Sequence, residues 1–119
     1  MNFPLLRLHL EVASKNIKLM AKKAKDSNVE FRPHFKTHQS RMIGELFKAE
    51  GVKAITVSSV EMADFFIDDG WNDITIAFPV DIRKMERLNE LSSKAKIHII
   101  TDQLESLSIL DKRSDHQIG

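Results

Sequence analysis

Four short runs of strand character, VEFRPHF, VKAITVS, DITIAFP and KIHIIT, begin near positions 29, 52, 73 and 96. Successive starts lie 23, 21 and 23 residues apart. That interval holds a strand, a helix and two short connections. It is far longer than the tight loop of an antiparallel hairpin. A segment with helical signals precedes the first run and follows each of the four. The pattern predicts parallel strands joined by right-handed βαβ units, and the fold class is α/β.

The helical segments carry apolar side chains at three- and four-residue spacing. Before the first run these are Ile17, Met20 and Ala24, with lysines on the other side. After the runs come, in turn, Ile43, Leu46 and Phe47; Met62, Ala63, Phe66 and Ile67; Ile82, Met85, Leu88 and Leu91; and Leu104, Leu107 and Leu110. Gly51 and Gly70 stand where left-handed helix C-caps are expected. Ser58 with Glu61 reads as a capping box, and Asp102 with Glu105 as its acidic analogue.

Strands buried on both faces read as continuous apolar runs. These alternate instead: Phe31 and Phe35 oppose Arg32, His34 and Lys36; Ile55 and Val57 oppose Thr56 and Ser58. Ile74, Ile76 and Phe78 oppose Thr75 and Ala77, and Ile97 and Ile99 oppose His98. One face is therefore expected to pack on helices while the other is polar or small. A barrel whose mouth receives a polar ligand has this arrangement, and so does a sheet with one face in water. Four or five parallel strands cannot close an eight-stranded barrel, and the tail SDHQIG ends where the rhythm calls for a fifth strand. The expectation is the N-terminal half of a TIM-type barrel, incomplete in this chain.

Composition excludes several classes of function. Eighteen basic against 17 acidic residues give a net charge of +1, which leaves no strong field to attract nucleic acid or an anionic membrane. No apolar run approaches the roughly 20 residues that cross a bilayer, and the N-terminus lacks the pattern of a secretory signal. A cytoplasmic protein is expected. Cysteine is absent, so disulfides and thiolate metal sites are excluded.

The chemistry concentrates in RPHFKTH, residues 32 to 38. Lys36 falls at the C-terminal end of the first run, on its polar parity, and strand C-termini are where α/β barrels carry their reactive groups. A lysine amine held there can attack a carbonyl and form an imine. Pro33 fixes its own φ and pushes Arg32 towards an extended conformation. The bland alternative is a solvated strand-end lysine. His34 and His38, four apart, suit a metal site only on one helical turn, which Pro33 opposes, and no third ligand is near; no metal site is expected.

RPHFKTHQS resembles the RPHxKTHK signature of the D-threonine aldolase and D-serine dehydratase group, fold-type III pyridoxal phosphate enzymes related in architecture to alanine racemase. The likeness extends through LEVASKNIKLMAKKAKDSNVEFRPHFKTH and GVKAITVSSVEMADFFIDDGWNDITIAFPV, nearly the whole chain. It implies that residues 1–119 are the N-terminal part of a pyridoxal phosphate-binding (β/α)8 barrel, without the second half of the barrel and the β-rich domain. It implies a lyase acting on D-3-hydroxy amino acids, with Lys36 as the residue that holds the cofactor and later carries a proton. His34 and Arg32 would line the cofactor pocket, joined by Thr56 and Ser58 from the next strand.

The resemblance further implies a divalent metal in the whole enzyme, with ligands outside this chain, a small D-amino acid as substrate, and room for a homodimer. Gln39 departs from the signature's lysine, Phe78 stands where tyrosine is common, and LLRLHLEV replaces a more acidic opening. Phosphate-binding loops are expected from later strands, so the chain alone is expected to show little or no turnover. Two further readings stay open on residues alone: a non-catalytic pyridoxal phosphate-binding barrel, and a globular module without chemistry. Ser58 reads as a helix cap, Trp71 as a packing residue, and the lysines of KKAK as a solvated helix face.

Overall fold

The computed structural model describes residues 3–113. Helix α1 (Leu10–Asp26) leads through an extended segment into a 3-10 turn (Phe35–Thr37) and helix α2 (Arg41–Ala49). Strand β1 (Ile55–Val57), α3 (Val60–Asp68), β2 (Asp73–Pro79), a 3-10 turn (Ile82–Lys84), α4 (Met85–Ser92), β3 (Lys96–Ile100) and α5 (Leu104–Arg113) follow. The sheet has the order β1-β2-β3 and both pairings are parallel, as the strand spacing requires. The expected strand at Ile118 and Gly119 lies outside the described residues.

Repeated capping chemistry sets the rhythm. Gly51 (φ +80°) and Gly70 (φ +92°) occupy left-handed positions after α2 and α3. The Gly51 and Val52 amides donate to Lys48 O and Phe47 O, and the Gly70 and Trp71 amides to Ile67 O and Phe66 O. Both are Schellman motifs, which satisfy the last helical carbonyls and turn the chain towards the sheet. Asn28 (φ 53°) performs the same turn after α1.

The alternation resolves as the strand parities predict except at Phe78, which is exposed where the β2–β3 register shifts between Ile76 and Pro79. Ile55, Val57, Ile74, Ile76 and Ile97 are buried under the helices, while Thr56, Thr75 and His98 on the other parity are half-buried. Phe66 from α3 and Met85, Leu88 and Leu91 from α4 complete the core. The register brings Thr56 opposite Thr75 and Thr75 opposite His98, a polar row across the strands.

Four local expectations are corrected. VEFRPHF does not form a strand: it pairs with β1 only through an isolated bridge between His34 and Thr56, because Pro33 has no N–H to extend a ladder. Ser59, not Ser58, caps α3, its hydroxyl accepting the Met62 amide at 3.1 Å. Helix α5 begins at Leu104, beyond the position that would make Asp102 its cap. Of the apolar stripes, Met20, Leu104 and Leu107 remain largely exposed.

Candidate functional site

Lys36 owes its position to its neighbour Phe35. In the 3-10 turn the Phe35 ring is wholly buried, with ring centroids of Phe47, Phe66 and Trp71 at 5.1, 5.0 and 5.2 Å. Gly44 of α2 faces it, and a Cβ there would stand at ordinary contact, 3.4 Å from the ring. With Phe35 driven inward, Lys36 is left exposed beyond the bridge at His34, at the C-terminal end of the sheet. Its ammonium makes no hydrogen bond or ion pair among the described residues. Lys22, Lys48 and Lys84, by contrast, are each paired with a carboxylate. An accessible, unpaired amine suits covalent capture of an aldehyde.

The two histidines fasten the turn. His34 Nδ1 accepts the Lys36 amide at 3.2 Å, and His38 Nδ1 accepts the Ser40 amide at 2.9 Å. Ser40 in turn caps α2 by accepting the Ile43 amide. With Nδ1 accepting, the neutral His34 ring carries its proton on Nε2 and can donate there. Burial, then the charge of Lys36, holds His34 below the ordinary imidazole range, and burial does the same for His38. The His38 ring lies 4.5 Å from Phe35 between centroids. His34 and His38 each hold a local backbone amide through Nδ1. Among the described residues no group of three or more His, Cys, Asp or Glu side chains is placed to hold a metal ion.

The other expected site residues divide. Thr56 lies beside His34 on the polar row; its amide donates to Pro33 O at 2.8 Å and its hydroxyl to Arg32 O at 3.2 Å. Ser58, freed from capping, lines a small pocket of about 140 Å³ at the C-terminal ends of β1 and β2, together with Phe78, Asp81 and Lys84; Lys36 is not part of it. Arg32 faces the polar side, but its terminal nitrogens are engaged: Nη1 by Asp73 at 2.7 Å and Nη2 by Glu30. Asp73 also meets His98 Nε2 at 3.1 Å. Asp73 and His98 were not singled out from sequence. Their parity was readable, but inter-strand register, which brings them to Arg32, was not.

No family model matches the chain, and no curated protein sequence matches it. Solved structures do. The D-threonine aldolase from Filomicrobium marinum is similar at 28% identity with a TM-score of 0.85, over 94% of this chain and 31% of that one. D-threo-3-hydroxyaspartate dehydratase from Delftia sp. HT23 gives 22% and 0.88, over 99% and 33%. An alanine racemase-like protein from Idiomarina loihiensis gives 19% and 0.75, over 90% and 31%. The chain therefore spans about a third of the length of the structures it matches. Its fold is that of a partial alanine racemase-like barrel, as in the fold-type III enzymes.

Proposed function

We propose that this chain is the N-terminal, lysine-bearing part of a pyridoxal phosphate-dependent lyase that acts on D-3-hydroxy amino acids. The observation that carries the reading is Lys36, an unpaired amine at the C-terminal sheet end, set by the buried Phe35 ring within a signature that resembles this enzyme group. The likeness in fold and sequence to a D-threonine aldolase supports the same reading.

Pyridoxal phosphate, when bound, supplies an electron sink for bonds that break at a substrate's α-carbon. The Lys36 amine would hold the cofactor at its aldehyde carbon and, when free, would take or return a proton at the substrate's α-carbon. His34 presents its Nε2–H as a neutral donor on the polar side of the same segment. Thr56 holds that segment through its amide and hydroxyl, and Ser58 offers an uncommitted hydroxyl near the strand ends. Groups that bind the phosphate, and divalent metal ligands that assist departure of the substrate's 3-hydroxyl, are assigned to the remainder of the barrel and a β-rich domain. Aldol cleavage and dehydration share this lysine, so the substrate class is proposed and the bond broken is not.

Absorbance tests the assignment. Mixing the chain with pyridoxal phosphate is expected to raise a yellow band that Lys36→Ala abolishes. A band of equal strength in the variant would refute it. Keto acid or aldehyde release from D-serine or D-threonine is expected to be negligible for the chain alone.

A further inference from the structure

We propose that Asp73 is a positioning residue for Lys36: its carboxylate, shared by Arg32 and His98, holds the lysine-bearing segment against the sheet. This deepens the reading of Lys36 as the cofactor-bearing amine and rests on it.

The need for such a tie follows from Pro33. The segment ahead of the 3-10 turn has a single bridge to β1, at His34 and Thr56, where a barrel strand ordinarily has a ladder. At that bridge the Thr56 amide donates to Pro33 O at 2.8 Å. Side chains supply the rest. In the register that pairs Ile55 with Ile74, Asp73 stands level with Ala54. A methyl group at that place leaves the way clear for Arg32 to reach past β1 to Asp73 on β2. Arg32 Nη1 donates to Asp73 Oδ1 at 2.7 Å, and His98 Nε2, from β3, meets the same oxygen at 3.1 Å. One carboxylate thereby joins three segments separated by 41 and 25 residues along the chain.

The pair is well shielded, with Arg32 and Asp73 side chains 22% and 23% exposed, so screening weakens it less than an open surface pair. Burial pushes the Asp73 carboxyl up. The Arg32 hydrogen bond and charge, with His98 and Lys96, outweigh this and hold it below the usual carboxylate range. Because both terminal nitrogens of Arg32 are engaged, Arg32 acts on the lysine through the backbone of Pro33, His34 and Phe35 rather than by touching a cofactor. A carboxylate at position 73 therefore orders a reactive side chain two strands away.

Amide hydrogen exchange reads the tie without any cofactor. In Asp73→Asn, exchange at the Thr56 amide and at the Lys36 amide (held by His34 Nδ1) is expected to quicken at least threefold relative to the β2–β3 ladder. In Asp73→Ala the expected factor is at least tenfold. Unchanged exchange at these two amides, or an equal rise throughout the ladder, would overturn the proposal by reducing Asp73 to general stabilisation. Should Asp73→Ala fail to fold, the isosteric Asn variant decides. Reductive trapping of pyridoxal phosphate on Lys36 is measured alongside and is expected to slow at least threefold in Asp73→Asn. Absence of trapping in the unaltered chain would sink the cofactor reading while the exchange result stands, so the two failures are distinguishable.

Discussion

Phe35 and Lys36 are adjacent, yet substitution should affect them in opposite ways. Phe35 is wholly buried among Phe47, Phe66 and Trp71, and truncation to alanine leaves a cavity at the centre of the aromatic cluster. The phenyl group removes on the order of 100 Å² from water, about 2.5 kcal/mol at ~25 cal/mol per Å². The residual cavity and lost ring contacts bring the expected cost of Phe35→Ala to about 3–5 kcal/mol. A domain of this size is typically stable by roughly 5–15 kcal/mol, so the variant should be close to unfolding. Lys36→Ala, at an exposed and unpaired side chain, should change stability by less than about 0.5 kcal/mol while removing the cofactor adduct. Urea unfolding at 25 °C measures both. Trp71, the one tryptophan, meets Phe35 edge to face and makes its fluorescence a direct reporter on the cluster. A Phe35→Ala loss below about 1 kcal/mol, with an unchanged denaturant slope, would refute the view that this ring anchors the lysine turn.

Three further outcomes are expected. Ser59→Ala should cost about 1 kcal/mol in chemical denaturation through loss of the α3 cap, while Ser58→Ala should be nearly neutral; the reverse order would contradict the capping assignment. Gly51→Ala meets open space but forces a side chain to φ +80° and should destabilise by about 1 kcal/mol, whereas Gly44→Ala, at ordinary contact distance within α2, should be neutral or stabilising by up to about 1 kcal/mol. His38 has its folded-state pKa depressed by burial, so its contribution to stability is present above the unfolded imidazole value near 6.5 and is lost as pH falls through the folded value. The melting temperature should therefore fall between pH 7.5 and 5.5, and fall less steeply in His38→Asn; parallel slopes would count against it.

Much of the fold was legible because it rests on local chemistry repeated along the chain. Gly51 and Gly70 mark helix ends through backbone freedom alone, and the parity of Ile74, Ile76 and Ile97 follows from the pleat. The parallel sheet follows from the distance between runs. Less legible were features decided by competition between near-equal neighbours. Ser58 and Ser59 both offer a capping hydroxyl, and the choice turns on where the backbone leaves the strand. The residues from Val29 have strand composition, but Pro33 withholds the amide a ladder needs. The lysine could be located from its signature and strand-end position. Asp73 and His98 could not, because their meeting with Arg32 depends on register between strands far apart in sequence. Lys36 also proved to sit in a turn just past the bridge, where the burial of Phe35 determines its exposure.

The most direct test of the central claim is reductive trapping of pyridoxal phosphate on the chain, followed by mass-spectrometric mapping of the labelled peptide. The account predicts a dominant adduct at Lys36 that forms ahead of labelling at the helix α1 lysines. Label distributed among Lys22, Lys23 and Lys25 with none favoured at Lys36 would contradict it.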